Sequence, residues 1–199
     1  DYNYVFDPRV SLKRLMEEQK KKTAILVDEA HNLVDRAREM YSAELYKSNF
    51  LQLNRDFKNS SLGTAAKAIN DHLLQVKKSE DYLRKELDTE LVELIEAFIV
   101  EAEAELVKND HELLLDTYFA AKTFVKIAEL YNEPFVTYVE VQKSEVKMKL
   151  FCLDPSEQIL KMGKGFRARV YFSATLIPAG YYQDLLGGQA DDYVVSIPS

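Results

Sequence analysis

Two adjacent carboxylates follow a short apolar run near the start of the sequence. The segment "TAILVDEAHNLVD" places Ile25, Leu26 and Val27 directly before Asp28 and Glu29. A buried strand normally excludes charges that have no partner, but the carboxyl edge of a sheet in an open α/β fold is where ligands bind. Two acids at such an edge suit phosphoryl transfer, in which one holds Mg²⁺ and the other orients or deprotonates the attacking water.

The order of these residues favours a different task for each. Asp28 suits the metal role, with Mg²⁺ held through water, and Glu29 suits the role of catalytic base. His31, two positions after Glu29, could report the state of a bound nucleotide to a neighbouring element. The alternative is that Asp28 only caps a helix that starts at Glu29 or Ala30, because Asp is a preferred N-cap residue.

The sequence around the acids predicts the elements that position them. The spacing of apolar residues predicts a helix over Arg9–Lys22 and a strand over Ala24–Val27. From Leu33 to about Ile127 the pattern is almost entirely helical, with breaks near Asn59 to Gly63 and around Asn109 and Asp110. The apolar residues that carry the first helical period are Val10, Leu12, Leu15 and Met16.

After Pro134 the hydrophobic period changes from helical to alternating. "FVTYVEV" and "VKMKLFCL" predict the two strands of a hairpin, and "ARVYFSAT" predicts a strand that runs into a turn. "PAGYYQDLLGG" predicts a short helix with a proline near its start and glycines at its end. Both the opening "DYNYVFDP" and the closing "DDYVVSIPS" are strand-like, as expected for a piece of a larger protein. The fold class predicted is α+β, mostly helical, with a helical block inserted in an α/β domain.

Composition restricts the class of protein. The 199 residues are 47% hydrophobic and 30% charged, which is typical of a globular protein. The formal net charge of −7 argues against binding nucleic acid with the whole surface. Cys152, the only cysteine, excludes a disulfide partner within the chain, and with its apolar neighbours it predicts a cytoplasmic protein. No apolar run approaches the roughly 18 to 20 residues of a membrane helix, so no membrane partner is expected.

The negative charge is concentrated in one segment. Residues 80–112 carry 3 Lys and Arg against 12 Asp and Glu, whereas residues 1–79 carry 14 against 11. Apolar residues at steps of three and four predict one face of a long helix there, with glutamates opposite. That acidic face is either simply solvated or a surface that repels a nucleic-acid backbone. The apolar set is Leu83, Leu87, Leu91, Leu94, Phe98, Ala102 and Leu106; the glutamates are Glu86, Glu90, Glu93, Glu96, Glu101, Glu103 and Glu105.

Other conspicuous residues have a structural and a functional interpretation. A basic cluster near the C-terminal end is either a solvated turn or a contact with a nucleic-acid backbone; its members are Lys161, Lys164, Arg167 and Arg169. Lys20 to Lys22 are expected to serve solubility. We expect His72 and His111 to be surface or capping residues, and Tyr171 and Phe172 to be core aromatics.

Several motifs together resemble one helicase family. "VDEAHN" resembles motif II, and "FSATL" followed by "YYQDLLGG" resembles motif III and its helix, in the XPD/DinG group of superfamily-two DNA helicases, the Rad3-related iron–sulfur helicases. "YNYVFDP" and "FCLDPS" resemble segments that lead into these motifs. His31 and Ser173 are 142 positions apart, and a long helical insertion between the two motifs resembles the arch domain of this group.

The resemblance implies a function and a division of the chain. Residues 1–40 would belong to a RecA-like motor domain, 41–134 to the arch, and 135–199 to the motor domain again. The parent protein would hydrolyse ATP with Mg²⁺, translocate on single-stranded DNA and unwind duplexes, the arch helping to frame the DNA passage. The hydroxyls of the Ser173-Ala174-Thr175 motif would couple hydrolysis to strand movement.

Parts of the family pattern are missing from this sequence. Nothing fits G-x-x-x-x-G-K-[ST], and "MGKGF" lacks both its spacing and its hydroxyl. The four cluster cysteines and a second motor domain are also absent, so an iron–sulfur cluster of the parent would lie outside this chain. We therefore expect an internal fragment that needs the rest of the helicase chain and is inactive alone. The alternative is a non-enzymatic helical interaction module whose DEAH sequence is coincidental.

Overall fold

The computed structural model describes residues 1–10, 18–76 and 82–197. These residues form two compact units, one of Asp1–Tyr41 with Cys152–Ser199 and the other of Ser42–Phe151. Helices predominate and the sheets are small, which confirms the predicted α+β, mostly helical class. No described helix is both long and apolar enough to cross a membrane.

The elements follow one another along the described chain as follows. They are α1 (Asn3–Phe6), a 3₁₀ turn (Lys20–Lys22), β1 (Ala24–Val27), α2 (His31–Met40), β2 (Ala43–Tyr46), α3 (Lys47–Asp56), α4 (Ser61–Val76), β3 (Tyr82–Arg84), α5 (Thr89–Leu106), α6 (Glu112–Ala128), β4 (Phe135–Gln142), β5 (Glu145–Cys152), α7 (Ser156–Gly163), β6 (Ala168–Tyr171) and α8 (Ala179–Leu185).

The first unit is built on two parallel strands. Strand β1 pairs with β6, with Ala24 opposite Ala168 and Val27 opposite Tyr171. Exposure alternates along β1, so that its odd-numbered residues are buried whereas Leu26 is 70% exposed. The strand predicted over Ala24–Val27 is therefore confirmed, and the described residues of this unit cover one face of it.

Helix α2 and the N-terminal segment complete the core of this unit. Helix α2 buries residues at the spacing of one helix face, and Tyr41 directly after it is fully buried. The Tyr41 hydroxyl donates a 2.6 Å hydrogen bond to the Phe6 carbonyl. Burial raises the pKa of Tyr41, so this donor stays protonated. The buried residues of α2 are Leu33, Val34, Ala37 and Met40.

Both ends of the chain differ from the strands expected there. Residues 3–6 of "DYNYVFDP" form helix α1, because Phe6 is buried and its carbonyl is bound by Tyr41. Residues 192–197 of "DDYVVSIPS" form no strand and are exposed. Residues 11–17 of the helix predicted over Arg9–Lys22 lie outside the described residues, and its described C-terminal end, Lys20–Lys22, is a 3₁₀ turn.

The second unit combines a four-stranded sheet with four helices. The strand order is β2-β5-β4-β3, and β4 and β5 form the predicted hairpin. Helices α3, α4, α5 and α6 pack on one another around a core in which the Phe50 and Phe98 rings meet edge to face, with centroids 5.3 Å apart.

Two short strands interrupt the region that we expected to be helical. β2 pairs antiparallel with β5, and β3 pairs antiparallel with β4. Both segments therefore form strands at the edges of the hairpin, although they lie in the region predicted to be helical. Leu83 lies in β3 and is 65% exposed, and α5 begins only at Thr89. The long helical face predicted from Leu83 to Leu106 is thus shorter. Of the predicted set, Leu91, Phe98 and Ala102 are buried, and Ile95 is buried in place of the predicted Leu94.

The sheet also decides where the second unit ends. We predicted a return to the motor domain at residue 135, but the hairpin pairs with β2 and β3, so the second unit extends to Phe151. Backbone pairing groups the hairpin with strands distant in sequence, which its own alternating pattern does not reveal. The names motor and arch for these segments stay predictions.

Candidate functional site

The candidate site lies in the first unit, where β1 and β6 end side by side. Beyond the regular pairing, the Phe172 N–H donates to the Val27 carbonyl (3.0 Å) and the Ala30 N–H donates to the Phe172 carbonyl (3.1 Å). Because both strands run in the same direction, their carboxyl ends meet at one edge. This juxtaposition brings Glu29 close to Ser173, 144 positions away along the chain.

Glu29 is hydrogen-bonded to the hydroxyl motif. The Ser173 hydroxyl donates to Glu29 Oε2 at 3.0 Å, and His31 Nδ1 lies 3.2 Å from the same oxygen. His31 Nδ1 is also 2.9 Å from Ser173 Oγ and 3.1 Å from Thr175 Oγ1. The two hydroxyl oxygens are 3.2 Å apart, and the Thr175 N–H donates to Ser173 Oγ. Four predicted site residues therefore form one connected hydrogen-bond cluster.

Asp28 is exposed, and among the described residues only its Oδ1 atom has a hydrogen-bond partner. Its Oδ1 accepts a 2.8 Å hydrogen bond from the N–H of Glu29. Helix α2 begins at His31 with Ala30 in the N-cap position, so the alternative that Asp28 caps a helix starting at Glu29 or Ala30 is wrong. Capping would require contact with the second or third N–H of the helix, whereas Asp28 contacts the residue next to it.

The turn that carries the two acids is conformationally unusual. Glu29 has a φ of 49°, in the left-handed region that non-glycine residues seldom adopt. The Tyr2 hydroxyl donates to the carbonyls of Asp28 (2.8 Å) and Glu29 (2.9 Å). The sequence analysis did not assign Tyr2 a role, although the "YNYVFDP" segment that contains it was already noted.

Not every predicted site residue joins the cluster. Ala174 lies between the two hydroxyl residues, is exposed and has no polar side-chain atom to contribute. Lys161 forms an ion pair with Glu157 at 2.6 Å, one turn earlier in α7. Lys164 and Arg167 are exposed, and none of the described carboxylates pairs with them.

The turn of three lysines lies beside this basic cluster. The Arg167 N–H donates to the carbonyls of Lys20 (3.1 Å) and Thr23 (2.9 Å), and Lys20 Nζ lies 5.5 Å from the centre of the Phe166 ring. The side chain of Arg169 packs against Gly163, where an added Cβ would lie 2.7 Å from Arg169 Cδ. Lys164 and Arg167 are therefore the members of the predicted cluster that are best placed to meet an anionic ligand.

The remaining histidines have structural positions in the second unit. His111 caps α6, because its Nδ1 accepts a hydrogen bond from the N–H of Leu114 (3.2 Å), which confirms the capping interpretation. His72 is neither a surface nor a capping residue, since its side chain is 12% exposed and its Nε2 lies 2.8 Å from Asp88 Oδ2.

The two aromatic residues at the end of β6 are less buried than expected. Phe172 is exposed, so the prediction that it lies in the core is wrong, and Tyr171 is half-buried. Burial raises the pKa of the Tyr171 hydroxyl. Alternation along β6 places Phe172, one residue past the strand, on the same face as Val170 and the exposed Leu26 of β1, whereas Tyr171 lies on the opposite face with Val27.

The described residues contain no group of three His, Cys, Asp or Glu side chains that could hold a metal ion by themselves. Cys152 is buried, and burial raises the pKa of its thiol to about 12. A single cysteine does not supply the four thiolates that an iron–sulfur cluster commonly takes from the protein.

Comparisons with known proteins agree with these motifs. Residues 1–50 match the model of the DEAD_2 family. Solved structures titled "XPD_APO" and "XPD_Helicase" are 16% and 15% identical and superpose with a TM-score of 0.58 each, covering 94% of this chain. A structure titled "Truncated XPD" is 14% identical, with a TM-score of 0.61 over 98% of this chain. A comparison with curated proteins gave no match.

The matched segment is only part of each of these structures. The chain covers 37% of "XPD_APO", 33% of "XPD_Helicase" and 56% of "Truncated XPD". At such low identity the structural likeness is a likeness of fold. The DEAD_2 match over residues 1–50 and the XPD fold together confirm the resemblance to the XPD/DinG group of helicases that the motifs predicted.

Proposed function

We propose that this chain supplies the motif II and motif III part of an ATP-dependent DNA helicase. The observation that carries the proposal is the hydrogen bond from Ser173 to the carboxylate of Glu29, supported by His31 and Thr175. A base at the carboxyl edge of a parallel strand pair, bonded to hydroxyls of the next strand end, is the arrangement expected where phosphoryl transfer is coupled to movement. In the parent, hydrolysis would drive translocation along single-stranded DNA.

Glu29 is suited to the role of general base. One of its oxygens, Oε2, contacts Ser173 and His31, while the side chain as a whole is exposed to solvent. A carboxylate that accepts fewer hydrogen bonds is a stronger base. If Ser173 turns its proton toward Thr175 instead, Glu29 Oε2 loses that hydrogen bond, so the hydroxyl motif can change the hydrogen bonding of the base as the cleft closes.

Asp28 is suited to magnesium bound through water. Its Oδ1 accepts the Glu29 N–H, and the exposed carboxylate leaves room for water-mediated contact on Oδ2. Mg²⁺ commonly keeps several waters and takes only one or two protein carboxylates together with substrate phosphates, which agrees with the lack of a three-ligand group among the described residues. When bound, the ion neutralises charge on the ATP phosphates. No phosphate-binding loop is present in this sequence, so ATP binding and turnover are proposed for the full-length protein and not for the isolated chain.

Glu29→Gln in the full-length protein tests this proposal. The amide keeps the size of the side chain and an acceptor for Ser173 but removes the base, whose contribution is typically about 10²- to 10⁴-fold. We expect single-strand-stimulated ATP hydrolysis to fall by that factor, with ATP affinity retained. Glu39→Gln is the matched control, because Glu39 is an exposed α2 residue paired with Arg36 (3.1 Å), and it should leave hydrolysis unchanged.

Two results would contradict the proposal. A collapse of ATP affinity in Glu29→Gln would make Glu29 a binding or structural residue. Failure of the wild-type full-length protein to bind ATP would favour the alternative of a non-enzymatic helical interaction module.

A further inference from the structure

The segment "YNYVFDP", which precedes strand β1, contacts the turn of Asp28 and Glu29 through the Tyr2 side chain. Tyr2 is half-buried, and its hydroxyl lies 2.8 Å from the Asp28 carbonyl and 2.9 Å from the Glu29 carbonyl, 26 and 27 positions along the chain. A phenol has one proton to donate, so the two carbonyls share it. One hydroxyl therefore restrains both peptide groups that follow the two predicted catalytic acids.

The segment that presents Tyr2 is itself fixed to the first unit. Phe6 is buried and its carbonyl accepts the hydrogen bond from Tyr41. Asp7 is buried and binds Arg9 through both of its oxygens, with Nε at 2.8 Å and Nη2 at 2.7 Å. Burial acts to raise the pKa of Asp7, but the hydrogen bonds from Arg9 outweigh it and the pKa is lowered, so the pair stays ionic. Helix α1 between these anchors and Tyr2 packs against α2 and α7.

The turn that Tyr2 binds needs such a restraint. Glu29 has a φ of 49°, and a non-glycine residue in the left-handed region is strained, so it persists only where surrounding contacts hold it. On the β6 side, the Ala30 N–H is held by the Phe172 carbonyl. On the other side, the Glu29 carbonyl accepts both the Asn32 N–H (2.9 Å) and the Tyr2 hydroxyl.

We propose that Tyr2 is a positioning residue for motif II, which holds the left-handed turn so that the Asp28 and Glu29 side chains leave the strand end in the geometry that hydrolysis requires. This inference rests on the proposed function. It assigns a task to the lead-in segment, since the anchors at Phe6 and Asp7 serve to deliver the Tyr2 hydroxyl.

Tyr2→Phe in the full-length protein tests the inference, because it removes only the hydroxyl. Loss of one neutral hydrogen bond corresponds to roughly a 2- to 10-fold change. We expect kcat for ATP hydrolysis to fall by that factor, with the KM for ATP and the affinity for single-stranded DNA unchanged. Tyr4→Phe is the matched control: Tyr4 lies in α1, two residues after Tyr2, is 55% exposed, and should keep the wild-type kcat.

A double mutant separates positioning from general destabilisation. If Tyr2 acts through Glu29, Tyr2→Phe will have no further effect on the residual hydrolysis of Glu29→Gln, because effects of groups that act as a unit are not additive. An equal decrease in both backgrounds, or a lower unfolding temperature with unchanged kcat, would overturn the inference. Wild-type hydrolysis in Tyr2→Phe together with loss in Glu29→Gln would overturn the inference alone, whereas wild-type hydrolysis in Glu29→Gln would overturn the proposed function.

Discussion

At the scale of single residues, the proton on His31 decides how the site cluster is bonded. Nδ1 of His31 faces Glu29, Ser173 and Thr175 at 3.2, 2.9 and 3.1 Å. With a proton on Nδ1, the ring donates to Glu29 and Ser173 can donate there as well. Without it, Nδ1 accepts from a hydroxyl, and Glu29 loses a donor. The neutral imidazole has two tautomers, so His31 can select between two bonding patterns without any movement of the backbone.

Gly63 lies inside a helix, at a position that has no room for a Cβ atom. We expected Gly63 to mark a break, but it lies in the first turn of α4, where its N–H donates to Ser60 Oγ (3.0 Å). A Cβ at this position would lie 2.2 Å from the carbonyl oxygen of Phe57. That oxygen cannot move freely, because it accepts hydrogen bonds from the N–H (3.1 Å) and hydroxyl (2.7 Å) of Ser60.

Gly63→Ala is therefore predicted to destabilise the chain. Alanine is the better helix former by about 1 kcal/mol, but the clash with fixed backbone should cost more, giving a net loss of roughly 1 to 3 kcal/mol in unfolding free energy. Gly180→Ala in α8 is the control, since an added Cβ there meets nothing within 4 Å, and it should be neutral or slightly stabilising. Urea denaturation followed by circular dichroism measures both. A Gly63→Ala protein as stable as Gly180→Ala would show that the Phe57 carbonyl gives way.

At the scale of elements, an ion pair joins α4 to the start of α5. His72 of α4 lies 2.8 Å from Asp88, whose other oxygen accepts the Leu91 N–H (3.0 Å) and so caps α5. The hydrogen bond to Asp88 raises the pKa of His72. For Asp88, burial acts to raise the pKa, but the bonds from His72 and Leu91 lower it overall. Glu90 also faces the ring, with Oε1 3.8 Å from Nδ1.

These shifts predict a window of pH in which the pair is most stabilising. The raised pKa of His72 gives stability that is complete below the unfolded value of about 6.5 and is lost as pH rises through the folded pKa. The lowered pKa of Asp88 gives stability that is complete above the unfolded value of about 3.9 and is lost as pH falls through the folded pKa. The pair should therefore contribute most between about pH 4 and 6.5.

Two substitutions at Asp88 separate the ion pair from the cap. Asn is as good an N-cap as Asp, so Asp88→Asn should remove the pH-dependent part while keeping α5 capped. Asp88→Ala should cost about 1 kcal/mol more at every pH. Amide hydrogen exchange in α4 and α5 between pH 4 and 9 measures the local stability. Equal stability profiles for wild type and Asp88→Asn would contradict the role of the pair.

At the scale of the whole molecule, charge is unevenly distributed. Residues 80–112 carry nine more acidic than basic side chains, and Glu93 and Glu96 of α5 are exposed. Some of these acidic side chains nevertheless have hydrogen-bond or ion-pair partners that the sequence does not indicate. Glu101 binds Ser61, and Glu103 binds Tyr118 (2.6 Å) and Lys122 (3.3 Å).

A phosphate backbone is expected to follow the basic surface of the first unit. Lys164 and Arg167 lie beside the Lys20–Lys22 turn, and each phosphate contact with a single strand contributes about 0.7 to the salt slope of binding. In the full-length protein, Lys164→Ala with Arg167→Ala should lower single-strand affinity and reduce the slope by up to about 1.4. Fluorescence anisotropy across a salt series measures this, and an unchanged slope would exclude the basic path.

Two further variants calibrate that experiment. Lys161→Ala removes a charge from the same region, but Glu157 already neutralises it, so its effect on the slope should be smaller. Glu93→Lys with Glu96→Lys should raise the affinity for single-stranded DNA modestly. Because salt screens charges over roughly 8 Å, these side chains affect binding only through general electrostatic attraction.

Local pattern was sufficient wherever neighbours in sequence determine the structure. The strand before Asp28, the β4–β5 hairpin, β6 and helix α8 all lie where alternation, helical spacing or proline and glycine predicted them. The sequence also singled out the residues that meet at the strand ends, Glu29, His31, Ser173 and Thr175, and their roles in hydrolysis stay predictions.

Pairing between distant segments required the tertiary structure. β2 has four residues and β3 has three. Each forms a strand only because it pairs with an edge of the β4–β5 hairpin. Gly63 could not be placed without the position of the Phe57 carbonyl. Proximity within the site has the same origin, since Ser173 meets Glu29 only through the parallel pairing of β1 and β6. No sequence pattern predicted the contact of Tyr2 with the turn. Its hydroxyl donates to backbone carbonyls, which every residue type has, so the contact depends only on the path of the chain.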